Sequence, residues 1–380
     1  MKVLVVDHNA VRASDRALYR AFEQEGIAHT SVVVPAAWEE FGQVFLAEKD
    51  PGKIRVIPLP VLFRGKHHRV MYHGLTRVLR AEQPDILFLN AEPENQLALQ
   101  ALFALRALRR PPAVVLTSWR NIDSRAAGSP YRLGWMHQWI ERAALRKASW
   151  IVAHSAAARD LYYSYGFERV SHIPPAIDPA PYQSATPLLP KAKGFRVGYI
   201  GRFTPLKGGD VLLEAAARLP SECELVMVGA GEAKDAWMSK AVSLGIQGRV
   251  LWPGAIHHSE VPSMLKSLDV LVLPSLTGAE WKEQFGRVLI EAMAAGTVTV
   301  GSNSGEIPGV IGDAGLVVRE GDPAALAEAL LQLYRGPELV RRLATLGTER
   351  VARSYSIQAV LPQYRSLFER LTARSDENRL

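Results

Sequence analysis

The sequence predicts an α/β protein built from two doubly wound domains. Three observations carry that prediction. Short apolar runs alternate with helical patterns along the 380 residues, a proline-rich stretch near the middle interrupts them, and glycine-bearing loops follow several runs of the second half. Such alternation implies βαβ units and parallel sheets buried on both faces. The length exceeds one ordinary domain and suits two. With 48% apolar and 22% charged residues, the composition is globular.

In order, KVLVVD (2–7) reads as a buried strand. SDRALYRAFEQEG (14–26) follows as a helix, with Ser14 or Asp15 at its start and Gly26 at its end. TSVVV, IRVIPL, DILFLN, AVVLTSW and WIVAHS are further strands. Residues 1–177 therefore form a first domain and the proline-rich residues 178–194 a linker. A second series, 195–354, starts with the strand FRVGYIG (195–201) and the helix GGDVLLEAAARL (208–219). ELVMVG, RVLWPG, VLVLPS, TVTVGS and LVVRE continue its strands, and from about residue 323 the chain is nearly all helix. Ligands of such domains bind at strand carboxyl ends.

The net charge is +7, and most of the excess lies early: residues 1–190 carry 23 Lys and Arg against 17 Asp and Glu. A basic half suggests phosphates, an acidic acceptor or a membrane surface as company. The basic residues do not follow an RNA- or DNA-binding motif, so no nucleic-acid partner is expected. The single cysteine, Cys223, excludes an intrachain disulfide and a cysteine zinc cluster. No apolar run reaches the roughly 18 residues of a spanning helix, and Asp7 cuts short the apolar core of the N-terminus. The expected location is cytoplasmic. The stretch 63–80, read as a basic amphipathic helix, is a candidate for peripheral contact with an anionic membrane.

Two loops in the second half carry chemistry. GRFTPLKGGD (201–210) joins a strand to a helix, where backbone N–H groups and the helix dipole favour an anion. Arg202 and Lys207 add two cations, and glycines such as Gly201 allow close backbone approach. That combination suits a diphosphate. In EQFGRVLIEAMAAGTVTV (283–300), Gly286 opens a helix. Glu283 then lies in the preceding loop and Glu291 eight positions on, about 12 Å along the axis. Two carboxylates would repel a phosphate. They suit hydroxyls on either side of it, the layout of ribose, diphosphate and sugar.

These segments, with VGAGE (228–232), SGEIPGVIGDAGLVV and EGDPAALAEAL, resemble the C-terminal domain of retaining glycosyltransferases of family 4. The resemblance runs from about residue 148 onward. It implies the GT-B fold: two Rossmann-like domains facing across a cleft, the first binding acceptor, the second binding nucleotide-sugar donor, with a C-terminal helix (355–372) crossing back to the first. It implies that Arg202 and Lys207 bind the donor diphosphate, that Glu291 accepts from the ribose, and that Glu283 accepts from the donor sugar. It also puts Phe285, Gly286 and Arg287 at the phosphate–sugar end and Gly229 and Gly231 near the nucleotide. No cofactor or metal is expected. The donor would be a UDP-, GDP- or similar sugar, and the acceptor a glycan, glycolipid or small molecule.

The first half departs from the family pattern. The loop after the first strand, DHNAVRASD, lacks the usual glycines and offers Asn9 and Arg12. Trp119-Arg120-Asn121 stands where many members have a histidine. LNAEPENQLAL (89–99) with TSWRNI (117–122) resembles a subset of the family, which makes Glu92, Glu94 and Asn121 acceptor-side candidates. His154 ends a strand and reads as backbone-satisfied. The expected activity is metal-independent hexosyl transfer with retention and an α linkage. A catalytically silent nucleotide-sugar-binding partner of another transferase, a GT-B epimerase and a phosphorylase stay open as alternatives.

Overall fold

Fully apolar strand segments such as ILFL, WIVA and VLVL have both faces buried. Such strands are stable only inside a sheet covered on both sides, and the computed structural model contains two of these sheets. It describes residues 1–40, 43–52, 54–125, 134–190 and 194–377.

The chain divides into two units, Met1–Ala176 with the segment from Ile357 onward, and Ile177–Ser356. The first holds a seven-stranded sheet of β1 (Lys2–Val6), β2 (His29–Pro35), β3 (Arg55–Leu59), β4 (Ile86–Leu89), β5 (Ala113–Ser118), β6 (Trp150–Ala153) and β7 (Val170–His172). Their order is β7-β6-β5-β4-β1-β2-β3, and every pairing is parallel. The second holds β8 (Arg196–Ile200), β9 (Glu224–Val228), β10 (Val250–Gly254), β11 (Val270–Leu273), β12 (Val298–Ser302) and β13 (Gly315–Val318). Their order is β10-β9-β8-β11-β12-β13, again all parallel. Both sheets reverse direction of growth beside their first strand, at β1/β4 and at β8/β11. These are the topological switch points where open α/β sheets take ligands.

The helices end where the chemistry of the sequence allows. Asp322 caps the Pro323–Arg335 helix by accepting from Ala324 and Ala325 N–H, with Pro323 in the first turn. Ser155 caps Ala156–Ser164 through Ala158 N–H. The Ile357–Glu377 helix completes the core of the first unit. Tyr364 and Phe368 pack on Phe22 and Phe88, with ring centroids 5.2–6.4 Å apart.

Three expectations need correction. The helix expected over 14–26 is a 3-10 turn at Ala13–Arg16 followed by Ala17–Gln24, without a side-chain cap. Residues 63–80 do not form one amphipathic helix. Phe63, Gly65 and Gly74 all have positive φ (59°, 71° and 86°), Met71–Tyr72 is a short strand, and helix exists only at Leu75–Glu82. In the linker expected at 178–194, the described residues 178–190 group with the second unit, where Ala180–Ser184 is helical and Tyr182 is buried; residues 191–193 lie outside the described residues. Two hairpins, Ala37–Glu40 with Gln43–Leu46 and Val61–Leu62 with Met71–Tyr72, carry too little alternation to be read from sequence. Among the described residues no helix is long and apolar enough to cross a membrane.

Candidate active site

β8 and β11 are neighbours, so the loops leaving their carboxyl ends meet although about 75 residues separate them. The contact is tight: a Cβ on Gly208 (φ 69°) would lie 2.0 Å from the carbonyl oxygen of Pro274. Lys207 and Glu283 come together there. Lys207 Nζ donates to Glu283 Oε2 at 2.6 Å, and the two side chains are 17% and 8% exposed. The same Oε2 accepts from Ser275 Oγ at 2.8 Å. The ammonium also lies 4.7 Å from the centre of the Trp281 ring, a cation–π distance. A carboxylate, itself held by a hydroxyl, and an aromatic face thus fix one cation at the end of the sheet. Arg202, in the same loop, is exposed.

The glycines explain how a second loop approaches the first. Gly229 and Gly231 have φ of 144° and 151°, and a Cβ on either would lie 1.9 Å from Gly201 O or 2.3 Å from Phe203 O. Phe203 N–H donates to Ala230 O at 2.8 Å, and Gly201 N–H to Val228 O at 3.0 Å. Gly201, Gly229 and Gly231 therefore hold the Arg202 loop against the end of β9.

Gly286 is left-handed (φ 81°) and opens the Arg287–Ala295 helix, which no side chain caps. An uncapped helix start keeps its partial positive charge and can take an anion. Glu291, buried at 5%, lies one turn in and pairs with Arg287, whose Nε is 3.0 Å from Glu291 Oε1. Phe285 directly precedes Gly286 in the chain. It is buried against Tyr355, ring centroids 5.7 Å apart. Ser275 and Trp281 were missed in the sequence. Their only signal was position: the last residue of a strand-end segment, and two residues before the loop glutamate.

In the first unit the carboxyl ends of β1, β4, β5 and β6 collect a buried polar cluster. Glu92 accepts from Ser118 Oγ and from Trp119 N–H, each at 2.6 Å, and so clamps the turn that carries Asn121. Burial, then the neighbouring Glu94, pushes the Glu92 carboxyl up to about 7. Asn121 is 8% exposed. Its neighbour Arg120 lies 3.6 Å from Glu94 and pairs with Glu141. Asn9 is exposed, its N–H bound to Asp7 Oδ1 at 2.8 Å. The guanidinium of Arg12 sits 4.2 Å over the Phe45 ring. His154 Nδ1 lies 3.0 Å from Ile173 O, and burial lowers its pKa to about 4. Sequence reasoning missed His8, which is buried, has its Nε2 2.9 Å from His67 Nδ1, and holds its ring centroid 5.1 Å from that of Trp38 at a tilt of 49°.

Comparison with known proteins fits this geometry. Residues 16–181 match the family model described as Glycosyltransferase Family 4, and residues 186–350 match that of Glycosyl transferases group 1. The first half is therefore matched despite its unusual loops. The phosphatidyl-myo-inositol mannosyltransferase of Mycobacterium leprae is 34% identical over 203 residues, 51% of this chain and 50% of that protein. The MMP alpha-(1->4)-mannosyltransferase of Mycolicibacterium hassiacum is 30% identical over 241 residues, 62% and 57% of the two chains. The chain thus spans about half the length of the curated relatives it matches. Anabaena HepE, solved in complex with UDP-glucose, shares the fold, with a TM-score of 0.72 at 18% identity over 97% of this chain and 99% of that one. With one family model on each half of the chain and two doubly wound units beneath them, the protein belongs to the family 4 group of GT-B glycosyltransferases.

Proposed function

We propose that the chain is a hexosyltransferase whose second unit binds a nucleoside-diphosphate sugar and whose first unit binds a hydroxyl acceptor. The observation that carries this reading is the Lys207–Glu283 pair at the β8/β11 switch point, beside an uncapped helix start. The names of the relatives, two mannosyltransferases, and the UDP-glucose in HepE support a nucleotide-sugar donor.

In this reading Lys207, Arg202 and the helix start at Arg287 face the diphosphate. As the bond between the anomeric carbon and the diphosphate oxygen breaks, negative charge grows on the leaving group and those cations stabilise it. Glu283, steadied by Ser275, holds the ammonium of Lys207 so that little reorganisation is needed. Glu291, steadied by Arg287, accepts from ribose hydroxyls. The acceptor oxygen bonds to the anomeric carbon on the face the phosphate leaves, giving retention and an α linkage. Its proton passes to the departing phosphate, so no separate base is needed. The cations make a metal unnecessary. The acceptor, a glycan, glycolipid or small metabolite, is taken near Asn9, Arg12, Glu92 and Asn121.

The test is turnover of the purified protein on UDP- and GDP-sugars with a panel of hydroxyl acceptors, following nucleoside diphosphate release with and without EDTA. Acceptor-dependent release that survives EDTA, with an α-linked product by NMR, is expected. Donor binding without turnover on any acceptor would favour the silent-partner alternative. Loss of the rate in EDTA would overturn the metal-free mechanism.

A further inference from the structure

The first unit carries an unusual helix face. Trp135, Met136 and Trp139 are 84%, 42% and 54% exposed, all on the Trp135–Lys147 helix. Tryptophan seldom stands this far out of a folded protein unless something covers it. At about 100° per residue, Trp135, Trp139, Arg142 and Arg146 fall within roughly 60° of arc, in a stripe about 16 Å long. Met136 and Lys147 lie together to one side of it. Arg142, Arg146 and Lys147 are all exposed. The single carboxylate of the helix, Glu141, lies on the opposite, buried face, held by Arg120 and Arg125. The exposed face therefore pairs an aromatic tip with three cations and has no negative charge of its own.

We propose that this face docks the protein on an anionic lipid surface. Indole rings favour the headgroup level, where the ring is buried and the N–H stays wet. Cations one or two turns away would lie among anionic headgroups. The charge decides between occupants. A second copy of the chain would bring six cations into one contact with no carboxylate on either face to balance them. A lipid surface supplies the missing negative charge. This is a different place from the 63–80 stretch, which the backbone breaks into turns, and it does not depend on the donor chemistry.

The experiment is co-flotation of the full-length protein with phosphatidylcholine vesicles, with and without phosphatidylglycerol, alongside tryptophan fluorescence. Binding to the anionic vesicles with a blue-shifted emission is expected, weakening as salt is raised. W135S/W139S should abolish it, and R142Q/R146Q should lower partitioning roughly tenfold or more. Both variants change exposed side chains and should keep the wild-type circular dichroism. Absence of wild-type binding to the anionic vesicles would overturn the proposal, as would full binding by W135S/W139S. A concentration-dependent dimer that W135S/W139S dissolves would overturn it in favour of a second copy.

Discussion

Replacing Lys207 by Ala separates two things the side chain does. It removes a preorganised cation from the leaving group, and it strips Glu283 of its partner. Loss of one such electrostatic contact to a developing oxyanion lowers kcat by about 10²–10³, or roughly 3–4 kcal/mol. The stability cost is smaller. Exposed pairs contribute about 0–1 kcal/mol, whereas breaking a buried pair costs about 3–5. With side chains 17% and 8% exposed, and Ser275 still donating to Glu283 Oε2, this pair lies between, at about 1–2 kcal/mol. At about 2–4 °C per kcal/mol for a unit of this size, Tm should fall only a few degrees. The assay is kcat at saturating donor together with thermal unfolding, for K207A, E283Q and the double variant. The double variant should lose less stability than the sum of the singles, by about 1 kcal/mol, because the two side chains touch. Wild-type kcat in K207A would refute the leaving-group role. Strict additivity of the stability losses would refute the pairing argument.

Glu291→Ala should weaken nucleoside diphosphate binding by about ten- to a hundredfold, the worth of hydrogen bonds to a charged acceptor. A calorimetric comparison with the deoxyribose analogue, to which the variant should be nearly indifferent, checks that the loss runs through the ribose. Glu92 titrates in the folded state at about 7, above its usual 4.5. The folded protein then holds a proton that the unfolded chain has lost, so this group favours folding at low pH and that contribution is lost as pH rises through about 7. Glu92→Gln should flatten the fall in Tm between pH 5 and pH 8, in a thermal scan against buffer pH. Gly229→Ala would push a Cβ to 1.9 Å from Gly201 O at φ 144°. A loss of at least ~2 kcal/mol in urea unfolding is expected, with the loop carrying Arg202 displaced.

What the sequence made legible follows its periodicities. Strands such as VLVV and ILFL are continuous apolar runs, and buried parallel strands have no other signature. Glu283, Gly286 and Glu291 were readable because a helix start has its own grammar, a left-handed glycine followed by a small-residue helix. What stayed hidden depends on contacts far apart in the chain. Nothing local says that Trp281 lies under the ammonium of Lys207, or that Ser275 shares its carboxylate. Phe285 is another case. The resemblance implied a place at the phosphate–sugar end, and local sequence said nothing of the long-range ring contact it makes with Tyr355. In the first unit, short hairpins and turns with positive φ at Phe63, Gly65 and Gly74 defeated a helical reading that composition alone encouraged.

The return of the Ile357–Glu377 helix to the first unit constrains synthesis. The second unit is contiguous, Ile177–Ser356, and can close its core as soon as it leaves the ribosome. The first cannot: Phe22 and Phe88 wait for Tyr364 and Phe368, translated some 275 residues or more later. A nascent chain must therefore carry an unsealed aromatic layer through most of its production, so the later-made half matures first. Stop codons shortly before the last helix should yield chains that engage chaperones and aggregate even with both sheets fully encoded.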